Sequence, residues 1–87
     1  MNIIQELNIE QESNRVIKGN EIYNNGLVEK LNPRLYIVKG KYEVEDLTTI
    51  EDINPVYQCS CPDHKYRQVR CAHIIAVTFY QLNNNGA

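Results

Sequence analysis

Residues 59–73 read CSCPDHKYRQVRCAH, and these fifteen positions hold every cysteine of the chain: Cys59, Cys61 and Cys71. The pattern is C-x-C, nine residues, then C-x-H. Two soft sulfurs at one end of a short loop, and a sulfur and an imidazole at the other, form a tetrahedral donor set that zinc prefers, and Cys3His is an established structural set. The spacing also dictates backbone. On a continuous strand Cys59 and Cys61 point the same way, and a turn at Ser60-Cys61-Pro62 lets both sulfurs converge on one ion. Cys71 and His73 cannot both face an ion from inside a helix, where i and i+2 lie about 200° apart. Cys71 is therefore expected just before a helix, with His73 in its first turn, so that one ion clamps a strand end to a helix start. His64 is the other candidate for the fourth ligand, and the mirror-like C-x-H pairing favours His73. With four protein ligands the zinc has no open position. No H-x-E or H-E-x-x-H pattern accompanies it, so the expected role is structural rather than catalytic.

Downstream, AHIIAVTFYQL (residues 72–82) places Ile75, Phe79 and Leu82 at i, i+4 and i+7, with Ala72, Ile74 and Ala76 beside them. This predicts an amphipathic helix, followed by a frayed polar tail over 83–87. Upstream the period is that of strands. LVEKL, LYIVKG and KYEVEDL are short alternating or β-branched runs, separated by turn signals at Asn32-Pro33-Arg34 and Lys39-Gly40-Lys41. Tyr42, Val44 and Asp46 share one face of the third run and Glu43 and Glu45 the other. Residues 46–55 read as a polar loop, and Val56 to Cys59 as a last strand. Short connections make the sheet an antiparallel meander of three or four strands.

The first 26 residues read as a helix with a weak apolar stripe. Asn8 is a plausible N-cap with Gln11 three residues on, and Gly26 after Asn24-Asn25 is a stop in the left-handed conformation. Gly19, inside the helix, predicts close packing against another element. Residues 2–7 fit an extra helical turn, an arm or an edge strand equally well. The expected architecture is thus α+β in a single domain over residues 1–87: helix plus meander over 8–58, a zinc-clamped finger over 59–82 and a tail over 83–87.

Eighty-seven residues leave no room for a second core, and a domain this small commonly needs a staple such as a metal. Three cysteines cannot all pair, the opening MNIIQELNIEQE lacks a basic leader pattern, and no apolar run approaches the roughly 20 residues of a membrane span. The expectation is an intracellular chain, cytoplasmic or nucleoid/nuclear, with no membrane and no small-molecule substrate. Residues 1–58 carry six Lys/Arg against ten Asp/Glu, whereas residues 59–87 carry three against one. Those three cations, Lys65, Arg67 and Arg70, flank Tyr66 and supply the ingredients for phosphate contacts and base stacking. The alternative is that Tyr66 and Val69 pack under the metal loop while the cations are solvated. Asp63 is expected to accept backbone N–H groups in the loop. Tyr36, Tyr42 and Tyr57 fall on strands and are expected in the core or on a sheet face.

C-x-C-x9-C-x-H followed by an apolar helix resembles the SWIM zinc finger. The resemblance extends upstream through Arg15, Lys18-Gly19, Tyr23, Gly26 and Val28, so that it spans roughly residues 15–80. It implies that Cys59, Cys61, Cys71 and His73 bind one zinc, and that the module binds DNA or another protein. Ala72 departs from the pattern, standing where a lysine often precedes the histidine. On this reading the chain is a non-enzymatic zinc-binding module associated with DNA through Lys65, Arg67 and Arg70. The alternative is an adaptor that docks a larger DNA-processing or regulatory enzyme.

Overall fold

The computed structural model describes the backbone of residues 3–67 and 69–84 and the side chains of residues 13–67 and 69–84. The element order is α1 (Ile3–Asn24), β1 (Val28–Asn32), β2 (Leu35–Val38), β3 (Tyr42–Asp46), β4 (Tyr57–Cys59), α2 (Pro62–Arg67) and α3 (Ala72–Asn84). The four strands form one antiparallel sheet in the order β1-β2-β3-β4. This is the expected α+β meander, with four strands. Lys39 (φ 59°) and Gly40 (φ 65°) both take the left-handed conformation between β2 and β3, which brings the chain back in a tight turn.

The first helix is longer at its start than the capping pattern at Asn8 predicts. It is already helical at Ile3, so Asn8 is an interior position and the ambiguous segment before it is helix from residue 3 onward. The expected stop is present. Gly26 has φ 70°, its N–H donates to the Tyr23 carbonyl at 3.0 Å, and the Leu27 N–H donates to the Ile22 carbonyl at 3.1 Å. This pair of bonds is the glycine-terminated Schellman arrangement, and it turns the chain directly into β1.

Register sets the two faces of the sheet. Tyr36 pairs with Val44, Val38 with Tyr42, and Val44 with Cys59, so these side chains share the inner face. Glu43 and Glu45 alternate with them on the outer face, as a half-buried antiparallel sheet requires. Val38 and Val44 are fully buried beneath α3, with Ile74, Ala76 and Val77 in the same cluster.

The last helix lies between the sheet and α1. Tyr80 meets Tyr36 edge-on at 5.9 Å between centroids. Gln81 accepts from the Tyr57 hydroxyl at 2.6 Å and donates to Asp46 at 2.9 Å and to the Tyr36 hydroxyl at 3.2 Å. Tyr36 and Tyr57 are thus sheet-face residues, as expected. On the other side Phe79 packs on Tyr23 at 6.4 Å, and Ile75 lies against Gly19. A Cβ added at Gly19 would come within 2.6 Å of Ile75 Cγ2 and 2.9 Å of the Ala72 carbonyl oxygen, which is the close approach its place inside a helix predicts.

Two expectations about α3 are corrected. Leu82 does not continue the buried stripe and is 73% exposed, because the helix is buried on two sides earlier in its length rather than along one face. Asn83 and Asn84 remain helical, their side-chain amides donating to the Phe79 and Tyr80 carbonyls at 2.8 Å. The rest of the expected tail, residues 85–87, lies outside the described residues. Among the described residues no helix is long and apolar enough to cross a membrane.

Candidate metal centre

Each of the four predicted donors sits at the end of an element. Cys59 is the last residue of β4, paired with Val44. Ser60 extends the contact to β3: its N–H donates to the Glu43 carbonyl at 3.0 Å and its hydroxyl accepts from the Glu43 N–H at 3.1 Å. Cys61 then caps α2, its carbonyl accepting the Lys65 N–H at 3.1 Å, and Pro62 occupies the first helical position, where its missing N–H costs nothing. Cys71 does the same for α3, its carbonyl accepting the Ile75 N–H at 3.0 Å, and places His73 in the first turn. The turn after β4 and the helix start at Ala72 are those that the two-residue spacings require.

The Sγ atoms of Cys59, Cys61 and Cys71 and a ring nitrogen of His73 all lie within 4.8 Å of one another. His73 Nδ1 is 3.7 Å from Cys59 Sγ and 3.8 Å from Cys71 Sγ. Tetrahedral zinc with Zn–S of about 2.3 Å and Zn–N of about 2.0–2.1 Å separates sulfur from nitrogen by about 3.6 Å, so the donors are already at ligand spacing. All three thiols are buried in the apolar core, and none is paired in a disulfide. The cluster fits one structural zinc.

The electrostatics explain why such a set requires a cation. A hydrogen bond from Cys59 holds the Cys71 thiol down at about 4, with His73 also favouring the thiolate. The same Cys59–Cys71 bond, together with burial, pushes the Cys59 thiol far above its ordinary value, and burial raises Cys61. Without metal charge the site therefore favours one thiolate among three sulfurs. A divalent ion permits all three, which is why thiolate sites bind metal and release protons together. Tyr42 covers the imidazole, stacked on His73 at 4.2 Å and 24°, with Lys41 Nζ 5.2 Å from the Tyr42 centroid. The strand pattern placed Tyr42 on the inner face, but nothing in the sequence assigned it to this ring.

His64, the competing candidate, is outside the cluster; its Nδ1–H donates to the Val69 carbonyl at 2.9 Å and helps close the loop. The segment read as a loop contains the short helix α2, which has no buried residue. Asp63 does not serve loop amides as expected. It is gripped by Arg15 from α1, with Nε–Oδ2 at 2.9 Å and Nη2–Oδ1 at 3.2 Å. The Arg15 guanidinium accordingly holds the Asp63 carboxyl below its ordinary range. This contact spans 48 positions, and no local pattern announces it.

The three cations singled out from sequence are brought near the metal but not together. Lys65 lines a shallow depression that Glu43 and Glu45 of the outer sheet face also line, with no ion pair to either among the described residues. Arg67 Nε stands 3.8 Å from Asp63 Oδ1, and Arg70 Nη2 donates to Thr78 Oγ1 of α3 at 3.3 Å, in a groove on the α1 side. Tyr66 does not pack under the loop, as the apolar alternative has it, but is 86% exposed.

Fold and site together define a small α+β domain whose strand end and last helix are joined by one structural zinc in a closed Cys3His site. Residues 52–82 match the family model of the SWIM zinc finger, so the C-terminal part of the chain carries a SWIM-type finger with all four donors inside the match. No curated protein and no solved structure matches the chain.

Proposed function

We propose that this zinc-binding module is a non-enzymatic docking domain for another protein. The observation that supports this best is the arrangement of charge around the finger. From Tyr42 to His64 there is no lysine or arginine, while Glu43, Glu45, Asp46, Glu51, Asp52 and Asp63 supply six carboxylates. The cations that follow are divided among the acidic sheet face, the Asp63 carboxylate and the α3 hydroxyl of Thr78. A nucleic-acid backbone is a continuous line of negative charge, and its binders need a continuous cationic track. This surface breaks that track with carboxylates. A closed four-ligand metal leaves no Lewis-acid position, in keeping with a binding role.

One observation favours nucleic acid as the second reading: Tyr66 projects into solvent between Lys65 and Arg67 on α2. An exposed aromatic flanked by cations is the local form of a base-stacking platform.

Fluorescence anisotropy of zinc-loaded protein with single- and double-stranded probes across a salt series separates the two. The docking reading expects no salt-steep retention at moderate ionic strength, and in-cell cross-links to protein rather than to nucleic acid. A log–log salt slope near about −2.7, flattened by joint Lys65→Gln, Arg67→Gln and Arg70→Gln substitution, would establish about three phosphate contacts and overturn it.

A further inference from the structure

The loop between β3 and β4 carries the most exposed apolar side chains of the described residues. Ile50 and Ile53 are fully exposed, and Leu47 and Val56 at the foot of the loop are partly so. The backbone beneath them is fastened internally. The Leu47 N–H donates to the Val56 carbonyl at 2.8 Å, and the Val56 N–H donates to Thr48 Oγ1 at 2.9 Å. Asp52 Oδ2 accepts from both the N–H and the hydroxyl of Thr49, at 2.8 and 3.0 Å. Arg34 Nη1 braces the foot through the Asp46 and Thr48 carbonyls, each at 3.3 Å. The loop thus presents two isoleucines three positions apart, with Glu51 and Asp52 between them, on a preordered support.

A surface of opposite character lies on the same chain. Val16, Val69, Ile75 and Phe79 line a groove of about 490 Å³ between α1 and α3, with Arg70 and the Asp63-paired Arg15 also in its lining. That volume falls in the range of about 300–1,000 Å³ typical of pockets that bury a compact small-molecule ligand, room enough for two isoleucine side chains. The loop is apolar with a carboxylate pair, and the groove is apolar with arginines in its lining. Because the loop's foot is braced and both isoleucines are fully exposed, the loop does not occupy the groove of its own chain.

We propose that a second copy of this chain is the occupant: Ile50 and Ile53 of one copy seat in the α1–α3 groove of another, with Glu51 and Asp52 facing Arg70. The inference concerns self-association and stands whichever partner class the finger takes. A single loop-in-groove contact is smaller than the roughly 1,200 Å² of a stable interface, so the association is weak unless two copies exchange loops reciprocally about a two-fold axis.

Sedimentation of the zinc-loaded full chain from about 10 μM to about 1 mM tests this, because contacts below standard interface size fall in that affinity range. Reversible association is expected, weakened about tenfold or more by Ile50→Asp or Ile53→Asp, since each removes a buried isoleucine from the contact. Arg70→Glu is expected to weaken it, and Glu51→Arg to restore it in that background. A loop variant (Ile50→Ser with Ile53→Ser) and a groove variant (Val16→Asp) should each be monomeric alone and form a 1:1 dimer when mixed. Zinc content and circular dichroism verify that each variant is folded. A monomer throughout the range overturns the proposal, as does association that survives the isoleucine substitutions. Association lost with the isoleucines but indifferent to both Val16→Asp and Arg70→Glu overturns the assignment of the groove.

Discussion

The sheet side of α3 and the finger loop below it are stabilised by different physics. Val38, Val44, Ile74 and Val77 are buried without polar partners and hold the sheet to the helix by apolar burial, worth about 25 cal/mol per Å² removed from water. Between Cys61 and Cys71, by contrast, α2 has no fully buried side chain. It is fixed by its two flanking thiolates, the Asp63–Arg15 pair and the His64–Val69 bond. Six residues are too few for a helix to stand alone in water. One half of the molecule is specified by its hydrophobic pattern, while the other has its ends at the donor cluster, where a metal would tie them.

The largest expected effect follows from the tie. Structural zinc in small domains contributes apparent binding energies of about 10–16 kcal/mol, comparable with a typical total stability of about 5–15 kcal/mol. Chelation should abolish amide protection across residues 60–71 first, with the β2–β3 amides retaining more because their apolar contacts remain. Hydrogen exchange measured by NMR before and after verified metal removal checks this. Equal loss in both regions would erase the distinction between them. In the same series Cys71→Ser and His73→Ala should lose or weaken zinc, and His64→Ala should keep it, since the His64 imidazole lies outside the donor cluster and donates to the Val69 carbonyl.

A smaller effect probes the apolar half. Gly19→Ala adds a methyl group where Ile75 and the Ala72 carbonyl leave no space. Overpacking of this kind costs about 1–3 kcal/mol, against about 1 kcal/mol gained in helix propensity. The variant should melt at lower temperature with unchanged zinc stoichiometry. A rise in melting temperature would mean that α1 and α3 separate freely.

The smallest effect tests the Arg15–Asp63 ion pair, a polar contact that joins the halves. Asp63→Asn keeps the shape of the side chain but removes its charge from Arg15. The expected loss is about 1 kcal/mol, modest because the pair is partly open to solvent and screened by salt. Chemical denaturation at low and high salt should show the difference shrinking as salt rises. A loss of zinc in this variant would show that the pair positions the metal loop rather than merely bracing it.

Much of the finger was legible from residues 59–73, because metal geometry acts over a few bonds. C-x-C needs a strand end and a turn, and C-x-H needs a helix start, and both are where the spacing puts them. The strands were legible for the same reason, since alternation and turn residues are local. The start of α1 was not: a capping pattern at Asn8 competes with helix propensity upstream, and the helix continues through it to Ile3. Nor was α2, whose six residues have no apolar period to read.

What the sequence by itself determined was the staple and the meander: the donor set, the ends it joins, the alternating faces and the close approach at Gly19. What only the tertiary structure decided was which groups meet across long separations. Arg15 reaches Asp63 over 48 positions, Tyr42 stacks on His73, and α3 turns Ile75 and Phe79 to α1 while Ile74 and Val77 enter the core. The cations Lys65, Arg67 and Arg70, within six positions in sequence, end in three different surroundings. The physical reason is that spacing along a chain fixes direction only within one element. Where elements cross, packing of the apolar faces sets their orientation, and the polar groups find whichever partners that packing brings within reach.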